Sequence, residues 1–138
     1  AGIVNGIDYS AVSVEKSKKV NKEAVAKGHC EILHGSVADM IFADNRFDTV
    51  TAFETVYFWQ DLPQCFREVW RVLKPGGIFF ICNESNGDTD KDEKWTKIIT
   101  GMTIYKDTEL KAYLEQAGFH DVQAYKNKMG WLCVTAKK

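Results

Sequence analysis

Leu62, Cys65, Phe66, Val69, Trp70 and Leu73 recur at i, i+3, i+4, i+7, i+8 and i+11, which puts them on one face of a helix with Pro63 in its first turn. That helix has to stop at Lys74-Pro75-Gly76-Gly77, because proline cannot continue the hydrogen-bond ladder and the two glycines allow a sharp reversal. Directly behind it stands IFFICNE, Ile78 to Glu84, an apolar run that reads as a fully buried strand. An amphipathic helix feeding a buried strand through a tight turn demands a sheet with helices packed on it.

The rest of the chain repeats the alternation. GIVNGIDYS is a short β-branched run that ends at Asp8 and Ser10, and a lysine-rich stretch follows that reads as a helix, capped by Ser10 and closed by Gly28. CEILHG reads as a second strand, GSVADM as a turn and FDTVTAFE as a third strand. The polar segment from Ser85 to about Lys94 reads as a loop over the end of the sheet. Helical spacing returns in Leu110, Tyr113, Leu114 and Ala117, with Asp107 as the expected cap and Gly118 as the stop. FHDVQAYKN and GWLCVTAK then form a hairpin through Lys128 to Gly130. Alternating strands and helices through the first 85 residues predict an α/β fold with a mainly parallel sheet, finished by an antiparallel hairpin. Ligands of such sheets bind outside the carboxyl ends of the strands. That rule singles out Asp8, Gly35 to Asp39, Phe53 to Trp59, and Asn83 with Glu84.

Composition narrows the function classes. With 18 Lys plus Arg against 19 Asp plus Glu, a formal charge of -1 offers no net attraction to phosphate backbones or anionic lipid. No nucleic-acid or membrane partner is expected, no apolar stretch is long enough to span a bilayer, and a cytoplasmic location is expected. Cys30, Cys65, Cys82 and Cys133 lie far apart without histidines at metal spacing, so they read as free thiols, mostly buried, and no metal site is expected. His29, His34 and His120 have no carboxylate or serine at catalytic spacing and read as structural.

The ordered set GIDYS, HGSVADMIF, FDTVTAFETVYFW and FREVWRVLKPGGIFFICNE resembles the class I S-adenosylmethionine-dependent methyltransferases, in their small-molecule branch, over nearly the whole chain. The resemblance implies a Rossmann-like methyltransferase sheet forming a single domain, 1–138. It also implies an N-terminally incomplete one, since the first strand, its glycine-rich loop and the first helix are missing. On that reading the strand ending at Asp8 and the strand beginning at Phe47 each keep an open edge, which invites a homodimer or strand exchange between two copies.

The resemblance also assigns roles. Asp8 would accept from the ribose hydroxyls of S-adenosylmethionine, with Tyr9 beside the adenine or ribose; helix entry and plain surface exposure are the alternatives. Ser36 stands where similar proteins carry an aspartate to the adenine, and Val37 would offer its backbone N–H to a ring nitrogen, the alternative being a plain strand-ending turn. Ala52, Phe53 and Glu54 would touch the methionine portion, although Glu54 could equally cap the turn at Thr55. Tyr57, Trp59 and Glu84 are candidates for a small-molecule substrate, against the alternatives of core packing and a polar strand cap. The substrate would sit under Ser85 to Lys106. Methyl transfer is in-line attack on an electrophile that the cofactor supplies, so proximity and alignment suffice and no catalytic residue is assigned. The rival readings are a non-catalytic cofactor-binding or scaffolding protein and a nicotinamide-dependent dehydrogenase, which also places an acid after a strand.

Overall fold

The computed structural model describes residues 2–138, the side chains of residues 90, 91 and 93 excepted. The chain divides into two compact units, Ala1–Ile41 and Phe42–Lys138. In the first, β1 (Val4–Asp8) pairs in parallel with β2 (Cys30–His34), joined by α1 (Ala11–Val20) and α2 (Lys22–Ala26). The Ser10 hydroxyl accepts from the Ser13 N–H at 3.3 Å and caps α1 as the sequence predicts. The predicted single helix is broken at Asn21, whose side-chain amide donates back to the Ser17 carbonyl at 2.9 Å and competes with the helical ladder. Gly28, at φ +71, ends α2 in the left-handed conformation.

The second unit is a four-stranded sheet in the order β3-β4-β6-β5, formed by β3 (Phe47–Phe53), β4 (Leu73–Asn83), β5 (His120–Lys126) and β6 (Leu132–Lys137). β3 and β4 are parallel, while β6 runs antiparallel to both β4 and β5, so the α/β class and the closing hairpin are as expected. Three helices accompany this sheet, α3 (Leu62–Val72), α4 (Asp90–Ile98) and α5 (Asp107–Gln116). Strand alternation gives β4 one deeply buried face, Phe79, Ile81 and Asn83, whose cross-strand partners Ala136, Val134 and Leu132 are buried with it. Phe66 and Phe119 pack on Phe79 at ring-centroid distances of 5.7 and 5.8 Å. The strands expected to keep open edges do so within their own sheets: among the described residues β1 pairs only with β2, and β3 only with β4.

Several expectations are corrected. Lys74 to Gly77 do not reverse the chain. α3 ends at Val72, β4 begins at Leu73, and the register jumps from Phe47↔Leu73 to Thr49↔Ile78, so Lys74 to Gly77 bulge out of β4 opposite Asp48. Gly76 takes φ +76, and a Cβ on Gly77 would lie 2.8 Å from the Lys74 carbonyl oxygen. β4 is not buried throughout, since Ile78 stays 40% exposed. Trp70 does not join the apolar face of α3. It is 36% exposed, donates from Nε1 to the Gly118 carbonyl at 3.1 Å, and carries the Lys138 ammonium 4.0 Å above its ring. Val72, at the other margin of the stripe, is the buried residue.

The segment read as a loop holds α4. The Asp92 carboxylate accepts from the Gly87 N–H at 2.8 Å and the Asn86 N–H at 3.3 Å, folding a tight entry to that helix. Asp107 is the first residue of α5 rather than its cap, and the free Lys106 N–H is answered by the Glu109 carboxylate at 2.8 Å. Among the described residues no helix is long and apolar enough to cross a membrane.

Candidate functional site

In the first unit the candidate residues gather at the carboxyl ends of β1 and β2. The Gly35 N–H donates to the Asp8 carbonyl at 3.0 Å and His34 Nε2 lies 2.8 Å from the Tyr9 carbonyl oxygen, which ties the two strand ends together. The Asp8 carboxylate folds back so that Oδ1 accepts from the Ser10 N–H at 2.7 Å. Among the described residues no donor is bonded to its Oδ2. Asp8 therefore shapes the entry to α1 and still has an oxygen to offer a ligand. Tyr9 is fully presented, 72% exposed. Ser36 is committed locally: its hydroxyl accepts from the Ala38 N–H at 3.1 Å and its backbone forms a bridge with Asp39. Val37 is half-buried, and its N–H meets no acceptor among the described residues.

In the second unit β3 and β4 end side by side, with Phe53 opposite Cys82. Ala52 is buried, and Phe53 is exposed with its ring edge-on to Phe80 at 5.7 Å. Glu54 then turns into the left-handed region at φ +55, an uncommon conformation for a side chain without special local bonding. Its N–H donates to the Cys82 carbonyl at 3.0 Å and its carboxylate accepts from the Glu84 N–H, so a single residue fastens β3 to the end of β4. Partial burial, with the Glu84 charge adding to it, raises the Glu54 pKa above that of a free carboxylate, although the Glu84 N–H bond works the other way.

Tyr57 lies in a 3₁₀ turn, Val56–Phe58, and is only 2% exposed. Its hydroxyl accepts from the Ser85 N–H at 2.8 Å and stands 3.2 Å from the Ser85 carbonyl and 3.5 Å from Glu54 Oε1, either of which can take its proton. Burial drives the Tyr57 pKa well above that of a free tyrosine. Trp59 is half-buried and stacks on Phe79 at 6.3 Å with planes 2° apart, so it belongs to the aromatic packing on β4. Glu84 is exposed. Glu54, Tyr57, Glu84 and Ser85 therefore form one latch across two strand ends, and Trp59 packs on Phe66 and Phe79 instead.

Sequence reasoning undervalued two parts of this end of the sheet. Asn83, singled out only as a strand-end position, is 0% exposed, and among the described residues neither its Oδ1 nor its Nδ2 has a hydrogen-bond partner. A cavity of about 290 Å³ lies between the segment after β4, α4 and the start of α5, with Asp88, Thr89, Asp92, Thr96, Lys106 and Glu109 on its walls. Most of its wall comes from the segment expected to cover a substrate. The signal that could have located it is the phrase SNGDTD, where asparagine and aspartate side chains can bond nearby backbone N–H groups and hold a hollow open. Among the described residues no cluster of His, Cys, Asp or Glu is suited to a metal ion.

Known proteins share this architecture. A methyltransferase domain family matches residues 1–81. A cycloartenol-C-24-methyltransferase of Arabidopsis thaliana is 31% identical over 126 residues, 85% of this chain and 38% of that protein. A demethylmenaquinone methyltransferase of Listeria monocytogenes is 39% identical over 79 residues, 55% of this chain and 32% of that protein. Among solved structures, a chain from a Haloferax volcanii complex between a methyltransferase activator and a methyltransferase superposes with a TM-score of 0.86 at 20% identity, over 99% of this chain and 72% of that one. An S-adenosylmethionine-dependent methyltransferase of Aquifex aeolicus gives 0.77 at 20% identity, over 98% and 68%. The chain spans between 23% and 38% of the length of the first curated relatives it matches.

Proposed function

The chain belongs to the methyltransferase domain family, and on that premise we propose that it serves methyl transfer from S-adenosylmethionine to a small-molecule acceptor. The observation that carries the reading is the end of β1, inside the family match, where among the described residues Asp8 keeps Oδ2 free, and the turn that follows the paired strand β2 holds the uncommitted N–H of Val37. A carboxylate oxygen suits paired ribose hydroxyls and a backbone N–H suits an adenine ring nitrogen, so these residues fit the nucleoside part of the cofactor. Ser36 does not fit as well, because its hydroxyl is engaged with Ala38. Tyr9 offers an exposed ring for stacking, and Ala52, Phe53 and Glu54 are assigned to the methionine portion by the family resemblance alone.

When bound, the cofactor supplies an electrophilic methyl group. The protein's part is to hold and align, and to keep water from the acceptor. Glu54, Tyr57 and Glu84 support that role by fixing the ends of β3 and β4, and the hollow beside α4 lies in the segment expected to cover the acceptor. The relatives named above point to a cycloartenol and a demethylmenaquinone as acceptors of those proteins, which supports a small-molecule class here. The open edges of β1 and β3 support pairing with a second chain.

The test is isothermal titration of the chain with S-adenosylhomocysteine beside its Asp8→Ala variant, followed by a methyl-transfer assay. Binding is expected, weakened in the variant by about 1.5 to 3 kcal/mol, the range for a hydrogen bond to a charged group. Equal affinity for both chains removes Asp8 from the site, and binding without turnover supports the scaffolding alternative.

A further inference from the structure

Asn83 is the one core-facing residue of β4 that does not belong in a core. It follows Phe79 and Ile81 on the same strand face, it stands opposite Leu132 of β6, and all three of those neighbours are buried hydrocarbon. An amide sealed among such groups with both polar atoms unanswered is destabilising, because each atom has lost its water without gaining a partner. A leucine would fill the place without that penalty. A second unfavourable feature lies on the neighbouring strand end, where Glu54 holds φ +55. The two residues that follow Asn83 are held, among the described residues, by two outside side chains, Glu54 on the Glu84 N–H and Tyr57 on Ser85, before Asp92 takes over at Asn86 and Gly87.

We propose that Asn83 is a specificity-determining residue of the acceptor site, and that its carboxamide reads a hydroxyl group of the acceptor when the Glu54–Tyr57 latch over Glu84 and Ser85 loosens. The proposal rests on the methyl-transfer reading above. The chemistry follows from what the amide lacks: Oδ1 needs a donor and Nδ2 needs an acceptor, and the smallest group that answers both is a hydroxyl. A ketone or an ammonium group answers only one of the two. The latch supplies the access that a sealed side chain needs, since two side-chain contacts can open without breaking the β4–β6 ladder. A trapped water would also satisfy the amide, and the experiment separates the two.

The experiment uses the ¹⁵N-labelled 138-residue chain. The Asn83 side-chain NH₂ signals are identified by their loss in Asn83→Leu, and both chains are titrated with phenol and with toluene, probes of similar size that differ in the hydroxyl. Phenol is expected to move the Asn83 signals and to bind Asn83→Leu about three- to tenfold more weakly, the equivalent of one hydrogen bond, while toluene binds both chains alike. Asn83→Leu is expected to melt at a higher temperature than the parent. Equal phenol affinity for the two chains overturns the proposal. So does a cross-peak from the Asn83 NH₂ to a long-lived water that phenol does not displace. Should the variant fail to fold, Asn83 signals in the parent that ignore phenol overturn it on their own. S-adenosylhomocysteine titrated into the same samples tests the underlying reading separately: its failure to bind the parent sinks methyl transfer, whereas binding with a silent Asn83 sinks only the specificity role.

Discussion

Tyr57→Phe deletes a single oxygen, and the structure says what that oxygen does. It accepts from the Ser85 N–H at 2.8 Å and holds the chain leaving β4 against the turn after β3. A net hydrogen bond is worth about 0.5 to 1.5 kcal/mol, and a buried donor left unanswered costs about 1 to 3 kcal/mol. Ser85 is half-buried, so water can partly replace the lost acceptor and the expected cost is about 1 to 2 kcal/mol. An unfolding entropy of about 2.1 cal/mol/K per residue over 138 residues makes 1 kcal/mol equivalent to about 3.5 °C, so calorimetry should show Tm falling by about 3 to 7 °C. A second signature distinguishes the hydroxyl from mere packing. Burial raises the folded Tyr57 pKa above its unfolded value near 10, so the native state holds a proton that the unfolded state releases. The associated stability is complete below that pH and is lost as pH rises above it, and Tyr57→Phe should remove that part of the alkaline loss. A Tm within about 1 °C of the parent, with an unchanged alkaline limb, would refute the latch.

Glu54 titrates with its folded pKa raised, so the native state favours its protonated form; Glu54→Gln should raise Tm at neutral pH, and the gain should vanish as pH falls below the ordinary value of 4.5, as followed by thermal melts across pH 3 to 8. Trp70→Ala should cost about 0.5 to 3 kcal/mol in urea unfolding, since it loses one hydrogen bond and a cation contact at the surface. Phe66→Ala, at a fully buried position, should cost about 3 to 5 kcal/mol, and the reverse order would show that the face of α3 is misplaced. Gly77→Ala should cost about 1 to 3 kcal/mol, because its Cβ would press on the Lys74 and Asp48 carbonyl oxygens at 2.8 and 3.1 Å; a neutral change in Tm would mean the bulge adapts freely.

What the sequence made legible was periodic. The strands, α1, α3 and α5 announce themselves through spacing and punctuation, and the Ser10 cap and the Gly28 stop lie where their chemistry requires. Periodicity is weakest at the margins of a stripe. At roughly 100° per residue, Trp70 and Val72 fall on opposite margins of the face centred on Leu62, Phe66, Val69 and Leu73, and tertiary packing chose the smaller one for burial. α4 escaped because its charged sequence carries no apolar stripe, and its entry is built by the Asp92 carboxylate on backbone N–H groups. Lys74 to Gly77 has the composition of a reversal, but Lys74 binds Asp48 at 2.7 Å while Gly76 and Gly77 bond the Lys138 backbone, so pairing on both sides holds the segment in the strand. The candidate site was legible as strand ends and illegible as contacts. Nothing in the order of residues says that Glu54 meets Glu84, that Tyr57 meets Ser85, or that Asn83 finds no partner among the described residues.

Cys82 and Cys133 face each other across the β4–β6 pair with their sulfurs 3.7 Å apart, both free and buried. They thereby form a built-in ruler for that pairing. Sliding β6 by one residue would turn Cys133 to the opposite face and carry it out of reach of Cys82. The yield of a Cys82–Cys133 cross-link, trapped at successive times during refolding, would therefore report when the two central strands of this sheet find their alignment, without the addition of any probe.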